Sequence, residues 1–299
     1  MRCPVRFALP ALLSLVLLPL GGCAEDVDAT ADAGRPFTLW GRLDPAEGLQ
    51  AIRVIPIART IDEPVPDAID AAVTSTDLAT GAVTVWRDSL VTFTSATGQV
   101  LGRGYVFVSD ARPAYGSLHE IRVARADGAA STVRVAVPRR VEPAIGAASG
   151  LPGDVRLPVV WTGAPRVNAV VVDALAWRGA CAVQPVRLAV AERDLAAFEF
   201  GWRARLPLTE IGARLSAALG GGPVGIVRMT VSALVTNAEW RPPFPFDYDP
   251  QVTAEPGTLT NVGNGFGFVG AAYRSALTFT PDDAALQAAG MLPSAGCDG

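Results

Sequence analysis

From Phe37 onward the chain alternates apolar and polar positions in short runs, the period-two pattern of half-buried strands. Phe37-Thr38-Leu39-Trp40-Gly41-Arg42-Leu43 opens the series. Ala51 to Ile57, Ala72 to Leu78, Ala82 to Arg87, Leu90 to Thr94, Gly104 to Val108, Ser117 to Ala126 and Ser131 to Val137 continue it. Ala79-Thr80-Gly81 and Asp127-Gly128 are hairpin signals, because their glycines accept positive φ. Pro56 marks an edge or a bulge, since proline cannot donate to a ladder. No long helical period interrupts the run, so residues 36–141 are predicted to form an immunoglobulin-like or fibronectin-like β-sandwich domain.

Residues 142–153 are rich in Gly, Pro, Ser and Ala and read as a linker. A second domain, 154–299, resumes with Val155 to Val160, a β-branched run from Val167 to Trp177, and Cys181 to Glu192. Leu208, Ile211, Leu215 and Leu219 recur at helical spacing, and Gly220-Gly221-Gly222-Pro223 ends that helix. Val224 to Val235 returns to strand alternation, and Asp282 to Met291 reads as a short closing helix. The expected class is mainly β, with a sandwich followed by a second strand-rich domain carrying one or two short helices.

Composition narrows the function classes. Of 299 residues, half are apolar and 18% charged, which excludes a disordered chain. The basic residues are all Arg and scattered, and the net charge is −4, so no nucleic-acid partner is expected. Arg2 and Arg6 precede an apolar run, Phe7 to Leu20, that is too short to span a bilayer and suits a secretory leader. Leu20-Gly21-Gly22-Cys23 follows and resembles a bacterial lipobox, in which the cysteine thiol takes a diacylglyceryl group. Residues 1–22 are then a signal peptide, and 23–35 an acidic flexible tether behind lipidated Cys23. The expected location is the cell envelope, lipid-anchored at the outer membrane, with multiple acyl chains holding the protein stably.

Cys181 and Cys297 remain as a disulfide candidate, because an exported chain occupies an oxidising compartment. Such a bridge would close a long loop, for which chain entropy gives about 4–5 kcal/mol; the alternative is two isolated thiols. His119 is the one histidine, which excludes a multi-histidine zinc site, and no Ser sits in G-x-S-x-G. It reads as a packed or edge residue of a strand.

Trp240-Arg241-Pro242-Pro243-Phe244-Pro245-Phe246-Asp247-Tyr248-Asp249-Pro250 is the strongest ligand-facing stretch. Prolines stiffen it, and Trp240, Arg241, Phe246 and Tyr248 are the residue types that interface hot spots favour. The alternative is a crossover loop folded back so that its rings are buried. Asp247 and Asp249 lack the D-x-D-x-D-G frame of a calcium loop, so no metal is assigned. Glu192, Asp194, Glu199 and Glu210 could pair for acid–base chemistry, but nothing in the spacing selects a pair. Walker A and dinucleotide fingerprints are both missing, so no cofactor is assigned and no catalytic residue is named.

Gly41-Arg42-Leu43 to Arg53-Val54-Ile55-Pro56, then Thr76-Asp77-Leu78-Ala79-Thr80-Gly81, then Asn261-Val262-Gly263-Asn264-Gly265-Phe266-Gly267-Phe268-Val269-Gly270 stand with the lipobox. Together they resemble an uncharacterised Bacteroidota-type envelope lipoprotein family, in which a domain of unknown function fills nearly the whole mature chain. Val269 stands where that family often has Phe. The resemblance implies a lipid-anchored envelope protein, encoded near TonB-dependent outer-membrane receptors, and supplies no catalytic residues. Read physically, Asn264-Gly265 suits a tight turn, and Gly267 lets the backbone pass a neighbour closely.

The expected function is therefore non-enzymatic binding of a partner or ligand outside the cytoplasm, as accessory to an outer-membrane receptor. The alternatives are an extracytoplasmic glycan hydrolase acting through carboxylates and a structural or adhesion lipoprotein.

Overall fold

The computed structural model describes residues 35–57, 68–179, 182–240 and 260–294. The chain is mainly β, as its alternation predicts. The first half contains β1 (Phe37–Leu43), β2 (Gln50–Pro56), β3 (Ala72–Asp77), β4 (Val83–Val85), β5 (Arg87–Thr94), β6 (Val100–Ser109), β7 (Leu118–Ala124) and β8 (Ala130–Ala136). The second half adds β9 (Ala144–Ile145), β10 (Ser149–Leu151), β11 (Asp154–Thr162), β12 (Arg166–Arg178), β13 (Ala182–Ala189), β14 (Leu195–Phe198) and β15 (Gly201–Pro207). Helix α1 (Leu208–Ala218), β16 (Gly225–Thr236), β17 (Gly265–Phe279) and α2 (Asp283–Ala288) complete the order.

Two sandwiches result, each with its own apolar core. In the first, β1, β2, β6 and β5 face the sheet β4-β3-β7-β8. Alternation sends Phe37, Leu39, Ile52, Val54, Phe107, Ile121, Val123, Val133 and Val135 inward, all fully buried or nearly so. In the second, β13, β12 and β16 face β10-β11-β15-β14 around Trp161, Val172, Leu206, Ile226 and Met229. Helix α1 joins this core through Leu208, Ile211 and Leu215. Gly220, Gly221 and Gly222 then adopt φ of +85°, +89° and +89°, where a side chain would be strained, and the helix stops. The Asp282 carboxylate caps α2 by accepting the Ala285 N–H at 2.9 Å.

The two halves are not separated as the composition break suggests. β17 is shared: Gly265 to Ala271 pair in parallel with β1, and Ala272 to Phe279 pair antiparallel with β16. One eight-stranded sheet, β13-β12-β16-β17-β1-β2-β6-β5, therefore runs through both sandwiches. The expected linker is also partly ordered into sheet, since β9 and β10 both pair with β11. The corrected picture is two cores joined by one strand, with the C-terminal half completing the sheet of the first core.

Candidate functional site

The chain crosses between the sandwiches along residues 138–143, and β17 holds that crossing segment in place. The Tyr273 hydroxyl accepts the Val141 N–H at 2.6 Å and donates to the Arg139 carbonyl at 2.8 Å. Ser275 Oγ donates to the Val141 carbonyl at 2.9 Å. Tyr115 packs edge-on against Tyr273, with ring centroids 5.0 Å apart. Burial pushes the Tyr273 phenol above its ordinary pKa, so it keeps the proton it donates.

Outside these buried contacts lies a groove of about 420 Å³, walled by Tyr115, Arg140, Glu142, Pro143, Arg274 and Ala276. That volume is in the range of ligand sites, and the junction of two bodies is a common place for one. Its charged groups are accessible: Arg140 meets Glu142 at 3.7 Å with both side chains largely exposed, and Arg274 Nη1 donates to Ser232 Oγ at 3.2 Å. An exposed pair of that length contributes little to stability and exchanges readily for another anion. Ser275 gives its proton to a backbone carbonyl, so the groove presents charge, hydrogen bonds and one aromatic ring rather than an activated nucleophile.

Of the aromatic stretch, Trp240 is buried rather than displayed, at 8% exposure. Asn237 sets this by turning the chain back. Its N–H donates to the Ala271 carbonyl at 3.0 Å, its Oδ1 accepts the Ala271 N–H at 2.9 Å, and its own carbonyl accepts the Trp240 N–H. The indole then stands edge-on to Phe268, with centroids 5.6 Å apart, over Gly270, where an added Cβ would lie 2.5 Å from the ring. For Trp240 the folded-back alternative holds. Arg241, Phe246 and Tyr248, with Asp247 and Asp249, lie outside the described residues, as do Cys23, Cys181 and Cys297.

Among the acids, Arg193 brings Asp194 and Glu210 together, at 3.8 Å and 3.2 Å. Arg156 also reaches Asp194, and Arg214 reaches Glu210. The cavity beside them is about 20 Å³, lined by Val172, Leu188, Pro207 and Ile211 among others. That is room for a water, not for a sugar ring. Glu192 and Glu199 are exposed on the surface. Among the described residues no group of three or more His, Cys, Asp or Glu gathers as a metal site.

His119 lies opposite Asp77 in the β3–β7 register, and its Nε2 is 2.9 Å from Ser117 Oγ. The three residue types suggest a triad, but the bonds point elsewhere. Ser117 Oγ donates to the Ala114 carbonyl at 2.6 Å, and the Asp77 carboxylate accepts the N–H groups of Ala79 and Thr80 to close the β3–β4 turn. With the hydroxyl proton on Ala114, the imidazole donates to Ser117 instead of activating it. Burial lowers the His119 pKa, while the nearby Asp77 charge opposes that shift.

The glycine-rich motif proves to be a clamp between sheets. Thr132 and Gly263 exchange backbone bonds at 2.9 and 2.7 Å, and Ser131 Oγ donates to the Asn264 carbonyl. Asn264, at φ 54°, donates its amide to the Ala130 carbonyl at 2.8 Å. Gly267 has φ +94°, and a Cβ there would sit 2.1 Å from the Leu39 carbonyl. β17 itself was hidden from strand reasoning because its first half is written in these glycines. The signal that could have exposed it is the uninterrupted small and apolar run Gly267 to Tyr273. No protein-family model matches the chain, and no curated protein matches it.

Proposed function

We propose that this chain is a lipid-anchored cell-envelope protein that binds a partner protein outside the cytoplasm through the groove at the crossing segment, without catalysing a reaction. The observation that carries the reading is the groove itself: about 420 Å³, bounded by accessible Arg140, Arg274 and Tyr115 over a rigid buried frame. Rigid walls with exposed Arg and Tyr are the usual composition of a recognition site. The leader-like Arg2 to Leu20 and the Leu20-Gly21-Gly22-Cys23 pattern support the anchoring through Cys23. Among the described residues no helix is long and apolar enough to cross a membrane. The resemblance to receptor-associated envelope lipoproteins favours an outer-membrane receptor as the partner.

The test is photocrosslinking from the groove in intact envelopes, with p-benzoylphenylalanine at position 115. A discrete adduct with one membrane protein is expected, together with a diacylated N-terminal Cys23 by mass spectrometry. An unmodified N-terminus, or no adduct from position 115, overturns the reading.

A further inference from the structure

The partner reading leaves open how the groove is filled, and the edge of β17 answers that. Ala271 gives both its backbone groups to Asn237, the residue that follows β16, so the odd-numbered residues of β17 point toward β16. Arg274 and Ala276 therefore turn their N–H and C=O groups to the opposite side. Up to Ala271 that side is covered by β1, but β1 ends at Leu43. Beyond it, among the described residues, no strand pairs with that edge of β17.

Resting on the partner-binding role of this groove, we propose that the partner enters as an extended acidic polypeptide segment, adding a strand to β17 along Arg274–Thr278 in the lane that β1 vacates. Strand addition needs a row of unpaired backbone groups and a channel beside it, and the groove supplies the channel. Among the other terminal strands, β4, β10 and β14 are only 3, 3 and 4 residues long, β13 carries Pro185 in its middle and β8 is bridged to Gly263 at Thr132, while β5, though eight residues long, is not among the walls of the groove. Charge selects the occupant. Two arginines, Arg140 and Arg274, wall the groove against one carboxylate, Glu142, which sits loosely at 3.7 Å and is displaced by a better-placed acid; the Arg274 head, which rests on Ser232 Oγ of β16, swings from it to meet the incoming strand. Tyr115, 37% exposed, offers a ring to the same segment.

The experiment is fluorescence anisotropy on the full chain with a labelled ten-residue peptide alternating Val or Thr with Glu. Three comparisons accompany it: the same peptide N-methylated at alternate amides, its Lys counterpart, and the variants Ala276→Pro and Arg140→Ala/Arg274→Ala. Ala276→Pro removes one edge N–H while the β16 bonds, made by odd-numbered residues, stay intact. Saturable binding is expected, weakened about tenfold or more by N-methylation, by the Lys exchange and by each variant. If Ala276→Pro fails to fold, the N-methylated peptide alone decides the backbone question. Equal binding of the methylated peptide, equal binding of the Lys peptide, no binding to the wild type, or a self-associated chain whose second copy blocks the lane each overturns the proposal. Should the position-115 adduct persist while methylation and Ala276→Pro change nothing, strand addition fails and the partner reading survives. Loss of the adduct as well sinks both.

Discussion

The side chain of Asn261 stands in for a strand beside Val269: its Nδ2–H donates to the Val269 carbonyl at 2.7 Å, and its Oδ1 accepts the Val269 N–H at 3.0 Å. Asn237 treats Ala271 in nearly the same way two residues on. Between them they satisfy the edge of β17 that β16 does not reach, where Val269 is fully buried. An Asn261→Ala variant leaves both Val269 groups without partners and is expected to lose about 2–6 kcal/mol, from about 1–3 for each buried group. Asn261→Asp keeps the acceptor but sets a carboxylate against a carbonyl, so it should rescue nothing. Urea midpoints of the two variants check this; wild-type stability in the Asp variant removes the role assigned to the amide.

Tyr273 connects the fold to the groove, because its hydroxyl holds Val141 and Arg139 of the crossing segment. Tyr273→Phe keeps the ring packed on Tyr115 and removes only the oxygen. The buried Val141 N–H then lacks its acceptor, which is expected to cost about 1–3 kcal/mol. Amide exchange at Val141 should accelerate by a corresponding factor while the β1–β2 amides are unchanged. Unaltered protection at Val141 would show that the crossing segment is held some other way.

Most strands were legible because one face of each is buried. β11, with Val155, Leu157, Val159 and Trp161 inward and its other positions outward, shows the alternation in full. Helix α1 was legible from Leu208, Ile211 and Leu215 and its glycine stop. The long β17 was not: Gly265, Gly267 and Gly270 are there because β1 and Trp240 come too close for a Cβ, a tertiary demand with no local signature. The joining of the two halves was hidden for the same reason, since it rests on β1 and β17 pairing across most of the chain. Nor could the groove be read in advance, because Tyr115, Arg140 and Arg274 are far apart in sequence and only the fold of β17 against the crossing segment assembles them.

Trp240 gives a test of burial against display. Its indole fills the space over Gly270 and against Phe268, Leu234 and Ala272. Trp240→Ala is expected to destabilise the fold by about 3–5 kcal/mol, the range for deleting a buried large aromatic. Gly270→Ala should be damaging too, since the new methyl would meet the indole at 2.5 Å. The double variant is expected to recover part of the Gly270→Ala loss, because the ring that clashes is gone. Strict additivity in thermal unfolding would place the indole elsewhere.

His119 makes stability depend on pH in a direction that can be worked out. Burial lowers its pKa in the folded state below the unfolded value of about 6.5. Between the two values the unfolded chain binds more protons than the folded one, so stability rises with pH across that window. The contribution is fully present above about pH 6.5 and is lost as pH falls toward the lowered folded value. Urea midpoints measured at pH 7.5 and 5.5 should therefore fall on acidification for the wild type. His119→Gln retains a donor for Ser117 but cannot titrate, so its midpoint should change less between the same two pH values. A wild type that gains stability at pH 5.5, or a Gln variant with an equally steep fall, would place the titrating group somewhere other than the half-buried imidazole opposite Asp77.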